Sequence, residues 1–401
     1  MPAAGASRVS RPAASVRSDT RVAAPLPLTL YVHLPWCVRK CPYCDFNSHE
    51  ARGPVPERAY VDALISDLDL ALPELAGRDF ATVFFGGGTP SLFAPESVSR
   101  LLDYLRQRGR LCAGAEVTLE ANPGTADAAH FRGYLDAGVT RLSVGIQSFD
   151  DSCLESLGRI HDSGAARRAA QLAAELFDNF NLDLMYCLPG QTPAGAARDI
   201  ADALRFNPPH LSCYQLTLEP NTVFARYPPP LPGEAAQAAI ERRVHAALAA
   251  AGYRHYEVSA HARPGRECRH NRHYWEFADY LGIGAGAHSK LTINGSVRRE
   301  ARVRTPESYL RRVHEGRQVA DCRILDQDDL LAEFMMNALR LTDGFPVPLV
   351  GARTGLSAES WLAPLKRAEE RGLLQVSDKH VKPTSLGQRY LNRLTAEFLP
   401  A

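Results

Sequence analysis

From residue 28 onward the apolar positions keep changing period, from short runs that suit a buried strand to three-and-four spacing that suits a helix. Leu28–His33 forms a first predicted strand, and Glu57–Leu72 a helix with Tyr60, Val61, Leu64, Ile65 and Leu68 on one face. Phe80–Phe85 is a second strand, followed by Gly86-Gly87-Gly88-Thr89-Pro90 and a helix from Pro95, a residue suited to a first turn. Four more strands are predicted over Glu116–Leu119, Arg141–Val144, Asn181–Met185 and Leu211–Leu216, with helices over Ala126–Ala137, Ala165–Phe177 and Ala194–Leu204 between them. Six strands alternating with helices argue for a parallel α/β sheet. Short loops and right-handed crossovers curl such a sheet into a complete or partial barrel, whose active site lies at the strands' C-terminal ends. Leu291–Val297 is a hairpin around Asn294-Gly295. From Asp326 the pattern turns helical, over Asp328–Leu341, Val347–Thr354 and Ser357–Arg371, then gives short strands at Leu373–Val376 and His380–Lys382 and a closing helix to Phe398. That order is winged-helix-like.

Composition narrows the classes. The chain has 401 residues, 45% hydrophobic and 23% charged, with a net charge of +1, so nothing in its overall charge points to nucleic acid or a membrane surface. No apolar run approaches the roughly 20 residues of a membrane helix. Nine scattered cysteines do not form a disulfide framework, which points to a reducing compartment and makes the cytoplasm the default. Residues 1–27 are rich in Ala, Ser, Pro and Arg, with Asp19 the only acidic residue, and disorder is expected there. Such an acid-poor start also matches a transit peptide, but it lacks an apolar stripe and carries Pro2, Pro12, Pro25 and Pro27. The expected division is a tail over 1–27, a barrel over 28–255, a connecting region over 256–325 and a C-terminal domain over 326–401. That last domain holds ten acidic against nine basic side chains and no basic stripe, so docking is expected of it rather than DNA binding.

Directly after the first strand come Cys37, Cys41 and Cys44, at Cys-x3-Cys-x2-Cys spacing. Three thiolates on so short a loop can hold three corners of a four-iron cluster and leave the fourth iron open for a substrate. A zinc knuckle would need a fourth ligand at closed-site spacing, and a disulfide is disfavoured in a reducing compartment. Other candidates end the following strands. Gly86–Thr89 closes strand two, where glycines let the backbone approach a bound group and present its amides, although a glycine run alone is also a plain strand-to-helix turn. Glu120 ends strand three with a carboxylate able to accept two ribose hydroxyls. Gln147 and Asp183 lie at polar points in apolar runs, either as structural partners or as ligand contacts.

The cysteine spacing resembles the cluster loop of the radical S-adenosylmethionine (SAM) superfamily. With Tyr31-Val-His-Leu-Pro, Phe85-Gly-Gly-Gly-Thr-Pro-Ser91, Glu120-Ala-Asn-Pro, Gly145-Ile-Gln-Ser-Phe and Asp183-Leu-Met-Tyr-x-Leu-Pro-Gly-Gln-Thr, it resembles the oxygen-independent coproporphyrinogen III oxidase family over residues 28 to about 390. The resemblance implies a partial (β/α)6 radical SAM barrel with a mainly helical C-terminal domain. It also implies a 4Fe-4S cluster, SAM and an electron donor for the cluster. By the same resemblance Tyr31, Gly87 and Glu120 contact the SAM on the cluster. Tyr43, Gly88, Thr89, Gln147, Arg159 and Asp183 match contacts to a second SAM. The glycine-dense stretch Asp279–Ser289 is expected to return to the SAM pocket near Ala287 and His288.

Two departures favour the haem chaperone branch over the oxidase. The oxidase has a further cysteine two residues after the third, and here that position is Phe46. Residues His270-Asn-Arg-His-Tyr-Trp275 resemble the box that marks the chaperones, proteins that bind haem and hand it to an acceptor. Read chemically, His270 can ligate haem iron while Tyr274 and Trp275 offer aromatic surface to a porphyrin. The competing readings are a packed core histidine, or a zinc site of Cys268, His270 and His273 completed by His255 or His261. The rival function is oxidative decarboxylation of coproporphyrinogen propionates.

Overall fold

The computed structural model describes residues 22, 26–125 and 127–400, so most of the expected 1–27 tail lies outside the described residues. The chain builds one twelve-stranded sheet. Its centre is six parallel strands in chain order, β1 (Leu28–Leu34), β2 (Phe80–Gly87), β3 (Leu111–Ala121), β4 (Arg141–Gln147), β5 (Phe180–Tyr186) and β6 (His210–Gln215). The crossover helices are α1 (Glu57–Ala71), α2 (Pro95–Gln107), α3 (Ala128–Ala137), α4 (Ser163–Leu176) and α5 (Pro193–Leu204). The strands are nearly continuous apolar runs because both faces are buried, as parallel sheets require. Asp127, Asp162 and Thr192 start α3, α4 and α5 by accepting backbone amides. The face of α4 turned to the sheet is Ala166, Ala169, Ala170 and Ala173, small residues that let the helix lie close.

The sheet does not close. Beyond β6, α6 (Glu234–Ala250) leads into β7 (Arg254–Glu257) and β8 (Ala260–Ala262), and β8 pairs antiparallel with both β6 and β7. A short helix, α7 (Arg269–Trp275), then carries the chain back to β9 (Asp279–Ile283), which pairs parallel with the outer edge of β1. The glycine-dense stretch expected only to line a pocket thus supplies a seventh parallel strand. From β9 an antiparallel meander of β10 (His288–Ile293), β11 (Ser296–Arg302) and β12 (Val319–Ile324) finishes that edge. Asn294 and Gly295 both have positive φ, as a two-residue primed hairpin turn requires. Open edges at β7 and β12 make this a partial barrel.

The C-terminal region holds α8 (Gln327–Ala338), α9 (Pro348–Thr354) and α10 (Ala358–Glu370) with a small three-stranded sheet. Its core of Phe334, Phe345, Trp361, Leu365 and Phe398 also takes in Phe277 and Val297 from the barrel side.

Candidate functional site

The cluster loop begins where β1 ends, and its ends are tied together. His49 N donates to Pro35 O at 2.7 Å and Ala51 N to Cys37 O at 2.9 Å, so Trp36-Cys37 lies parallel to His49-Glu50. Inside the loop, Cys44 N donates to Cys41 O at 3.1 Å, and Lys40 Nζ reaches Phe46 O at 3.1 Å and Ser48 O at 3.3 Å. Arg39 anchors its outer side on the Gly158 carbonyl. Cys37, Cys41 and Cys44 are all free thiols, and all three line one cavity of about 380 Å³. Burial raises the Cys37 thiol, opposed by the Thr89 hydroxyl. Arg159 Nη1 lies 3.7 Å from Cys41 Sγ and 3.4 Å from the Tyr43 hydroxyl, while its Nη2 is fixed on Gly145 O at 2.9 Å.

The glycines of β2 serve a purpose different from the expected one. Gly88 N donates to Leu34 O at 2.8 Å and Thr89 N to Trp36 O at 2.7 Å, while the Gly87 amide faces the Glu120 carboxylate. The Gly88 and Thr89 amides are spent on the fold, so these residues face the cavity with bare backbone and with the Thr89 side chain. A Cβ on Gly88 would lie 2.5 Å from the Trp36 carbonyl oxygen, and one on Gly87, at φ +119°, would lie 2.7 Å from the His33 ring. Glycine is required here so that β2 can lie against the cluster loop.

Two half-buried acids face the same cavity. Burial, then the charge of Asp183, pushes the Glu120 carboxyl up to about 8, against the pull of the Gly87 amide and Arg141. Burial also raises Asp183, despite hydrogen bonds from Ser143 at 3.0 Å and Asn181 at 2.8 Å. Gln147 lines the cavity with φ +67°, a rarely populated conformation for this residue, and accepts from Tyr214 OH at 2.7 Å. Tyr214 and Ser143 also line the cavity and were missed in the sequence. Tyr214 stands near the end of β6, where the strand-end rule would have found it.

Tyr31 does not line this cavity. It lies in a second one of about 450 Å³ with His33, Tyr274, Tyr280, Ala287 and His288, and Phe46, Gly87 and Glu120 border both. The residues expected to contact two SAM molecules therefore fall on two adjoining cavities. Phe46, 62% exposed, stands on their shared rim. The Tyr31 hydroxyl meets His33 Nδ1 at 3.1 Å, and His33 Nε2 meets Asn47 O at 2.9 Å.

The histidine box lies differently. Glu116 of β3 caps α7 from outside, its Oε1 accepting from Arg269 N at 2.9 Å and His270 N at 3.2 Å, where a helix N-terminus favours negative charge. His270 is 1% exposed, and both ring nitrogens have partners, Nδ1 the Thr82 hydroxyl at 2.7 Å and Nε2 the Tyr274 hydroxyl at 3.1 Å. Burial holds its imidazole neutral, down to about 3. His270 lines neither cavity, so the expected free imidazole is absent from this conformation and the packed core reading fits its surroundings. Tyr274 does wall the second cavity, packed edge-on against Tyr280 at 4.5 Å. Trp275 lies under the Arg340 guanidinium at 4.3 Å. The alternative zinc set is not assembled either. Cys268 Sγ lies 3.8 Å from Glu116, whereas His255 and His261 gather with His245, which the sequence reading did not single out.

Residues 31–203 match the radical SAM superfamily, and residues 325–390 match the HemN C-terminal domain. Fold and thiol triplet together define a radical SAM protein, and that superfamily implies a 4Fe-4S cluster and SAM. Over 375 residues the chain is 46% identical to the heme chaperone HemW of Escherichia coli (strain K12), covering 93% of this chain and 98% of that one. It is 42% identical over 379 residues to the heme chaperone HemW of Haemophilus influenzae, covering 93% and 98%. Among solved structures, the coproporphyrinogen III oxidase HemN of Escherichia coli superposes with a TM-score of 0.79 at 25% identity, over 93% of this chain and 90% of that one. The chain belongs to the HemW family of radical SAM proteins.

Proposed function

We propose that this protein is a radical SAM-type haem chaperone that binds haem and passes it to an acceptor protein, with a 4Fe-4S cluster on Cys37, Cys41 and Cys44 and SAM beside it. The observation that carries this reading is near-full-length identity of 46% to a protein named as a haem chaperone, against 25% to the oxidase of the same fold. The residues fit the cluster. Three free thiols share one cavity, soft sulfur suits iron, and the Arg159 guanidinium stands 3.7 Å from Cys41 Sγ. When bound, the cluster supplies the electron that splits a sulfur–carbon bond of SAM.

Around it, Glu120, Gly87 and Tyr31 would hold the SAM on the cluster. Tyr43, Gly88, Thr89, Gln147, Arg159 and Asp183 offer a polar wall to a second SAM. Tyr274 gives the adjoining cavity an aromatic face for a porphyrin, and His270 holds the Tyr274 hydroxyl; iron ligation by His270 requires its bonds to Thr82 and Tyr274 to open. An electron donor serves the cluster. All nine cysteines are free, in keeping with the reducing cytoplasm, and among the described residues no helix is long and apolar enough to cross a membrane.

The test is anaerobic reconstitution, then haem titration and a coproporphyrinogen decarboxylation assay with SAM and reductant on the same sample. Stoichiometric haem binding without decarboxylated product is expected. Product above the no-enzyme control would replace this reading with the oxidase.

A further inference from the structure

We propose that His245, His255 and His261 form a binding site for a divalent transition metal of the zinc class, separate from the cluster. None of the three lines either cavity. His245 comes from α6, His255 from β7 and His261 from β8, and one ligand atom of each lies within 4.8 Å of the others. His245 Nδ1 and His261 Nε2 face each other at 3.0 Å. Two imidazole nitrogens bound to one metal at about 2.0–2.1 Å stand roughly 2.9–3.4 Å apart, so this pair is already at ligand spacing. His261 is 1% exposed and its Nδ1 has no partner among the described residues, leaving the histidine opposite as its polar contact.

The surroundings set which nitrogen of His255 is free and place a carboxylate near the outer nitrogen of His245. His255 Nε2 lies 3.1 Å from Val258 O, which places the proton on Nε2 and leaves Nδ1 as a bare donor. The Glu241 carboxylate lies 4.0 Å from His245 Nε2, the nitrogen that does not meet His261, beyond direct hydrogen-bond reach but on the side where a metal-bound histidine takes its carboxylate partner. His255 now stacks on His261 at 4.4 Å and 10°, so it must swing out of the stack to point Nδ1 at the shared centre. It is half-buried on an edge hairpin, which leaves room for that movement. Burial lowers all three imidazoles, His245 to about 4, so none needs to lose a proton at neutral pH. Imidazoles alone suit zinc, nickel or copper rather than calcium or magnesium. A metal here would tie α6 to the hairpin whose Glu257 pairs with Arg340 at 3.3 Å, next to the C-terminal region.

The test titrates Zn²⁺ and Co²⁺ into the full chain carrying Cys37→Ser, Cys41→Ser and Cys44→Ser, which removes the clustered thiols of the cluster loop. One equivalent should bind, with a cobalt spectrum free of thiolate charge transfer, and His245→Ala with His255→Ala in the same background should weaken it by at least about a hundredfold. Affinity unchanged by the histidine substitutions, or no stoichiometric binding, overturns the site. Should the cysteine variant fail to fold, the cluster-loaded natural chain serves instead. There the two histidine substitutions should lower tightly bound zinc by one per chain and abolish the rise in unfolding temperature with zinc, and an unchanged zinc content overturns the proposal.

Discussion

The cluster loop and the histidine box are both compact sets of metal-competent side chains, yet they fold into opposite surroundings. Cys37, Cys41 and Cys44 sit on a loop tied at its ends and open at its centre, with all three cysteines lining one cavity. His270 sits on a helix capped by Glu116 and pressed against β2, with both nitrogens bonded and lining neither cavity. The loop at the C-terminal end of β1 turns its three cysteines toward one cavity, Cys37 from a buried position and Cys41 and Cys44 half-buried, so its ligands stay available. A short helix packed on a sheet must bury one face, and the box places its histidine there. The outward-reaching residue is Tyr274, one helical turn on.

The largest effect should come from the thiols. Replacing Cys37, Cys41 and Cys44 with Ala should abolish the cluster's absorbance and spin signal, while His270→Ala should leave both intact. Undiminished iron in the cysteine variant would remove the cluster from this loop. Stability should separate the two regions in the opposite direction. His270→Ala strands the buried Thr82 hydroxyl and the Tyr274 hydroxyl, and should cost about 2–4 kcal/mol in denaturant unfolding. A loss under about 0.5 kcal/mol would mean that the ring is not part of the core and would return it to the role of a free ligand.

How much of this was legible follows from the same contrast. The parallel sheet and the cluster loop were readable because strand–helix alternation fixes which strand ends share a mouth, and a cysteine triplet needs little else. The two-cavity arrangement was not, since Tyr31 and Glu120 look alike as strand residues and only the meeting of Phe46, Gly87 and Glu120 divides the space. The fate of His270 was equally hidden. Its partner Thr82 lies 188 residues away in an ordinary strand pattern. β9 escaped notice because its glycines suggest a loop, and only parallel pairing with β1 makes it a strand. Gly282 is needed there because a Cβ would lie 2.1 Å from the His288 carbonyl oxygen. His245 stood alone on a helix until β7 and β8 brought two more histidines beside it.

A third comparison concerns SAM. Glu120 borders both cavities, so Glu120→Ala should weaken SAM by about ten- to a hundredfold, the loss of charged hydrogen bonds worth about 1.5–3 kcal/mol, when read by calorimetry. Substitution of Trp275, which borders neither, should leave SAM affinity unchanged. Equal losses in both variants would mean that the cavities do not locate the ligand.

The smallest effect is a pH dependence at the same carboxylate. Burial and Asp183 raise the Glu120 carboxyl to about 8 in the ligand-free protein, so at pH 7 it is mostly protonated. Ribose hydroxyls that donate to it favour the ionised form, so binding must expel a proton below pH 8. SAM affinity should therefore rise with pH, by up to about tenfold per unit, between about 6 and 8, and level off above. The folded protein binds more protons than the unfolded chain between the ordinary glutamate range and pH 8, so this group alone makes stability fall as pH rises through that window. Asp183 is raised too and faces the same space, so the two acids titrate as a pair and the midpoint belongs to both. Glu120→Gln removes the titrating group but keeps its size, and should flatten the affinity profile. Affinity that is flat with pH in the natural chain, measured at constant ionic strength, would show that the ribose does not bond to Glu120.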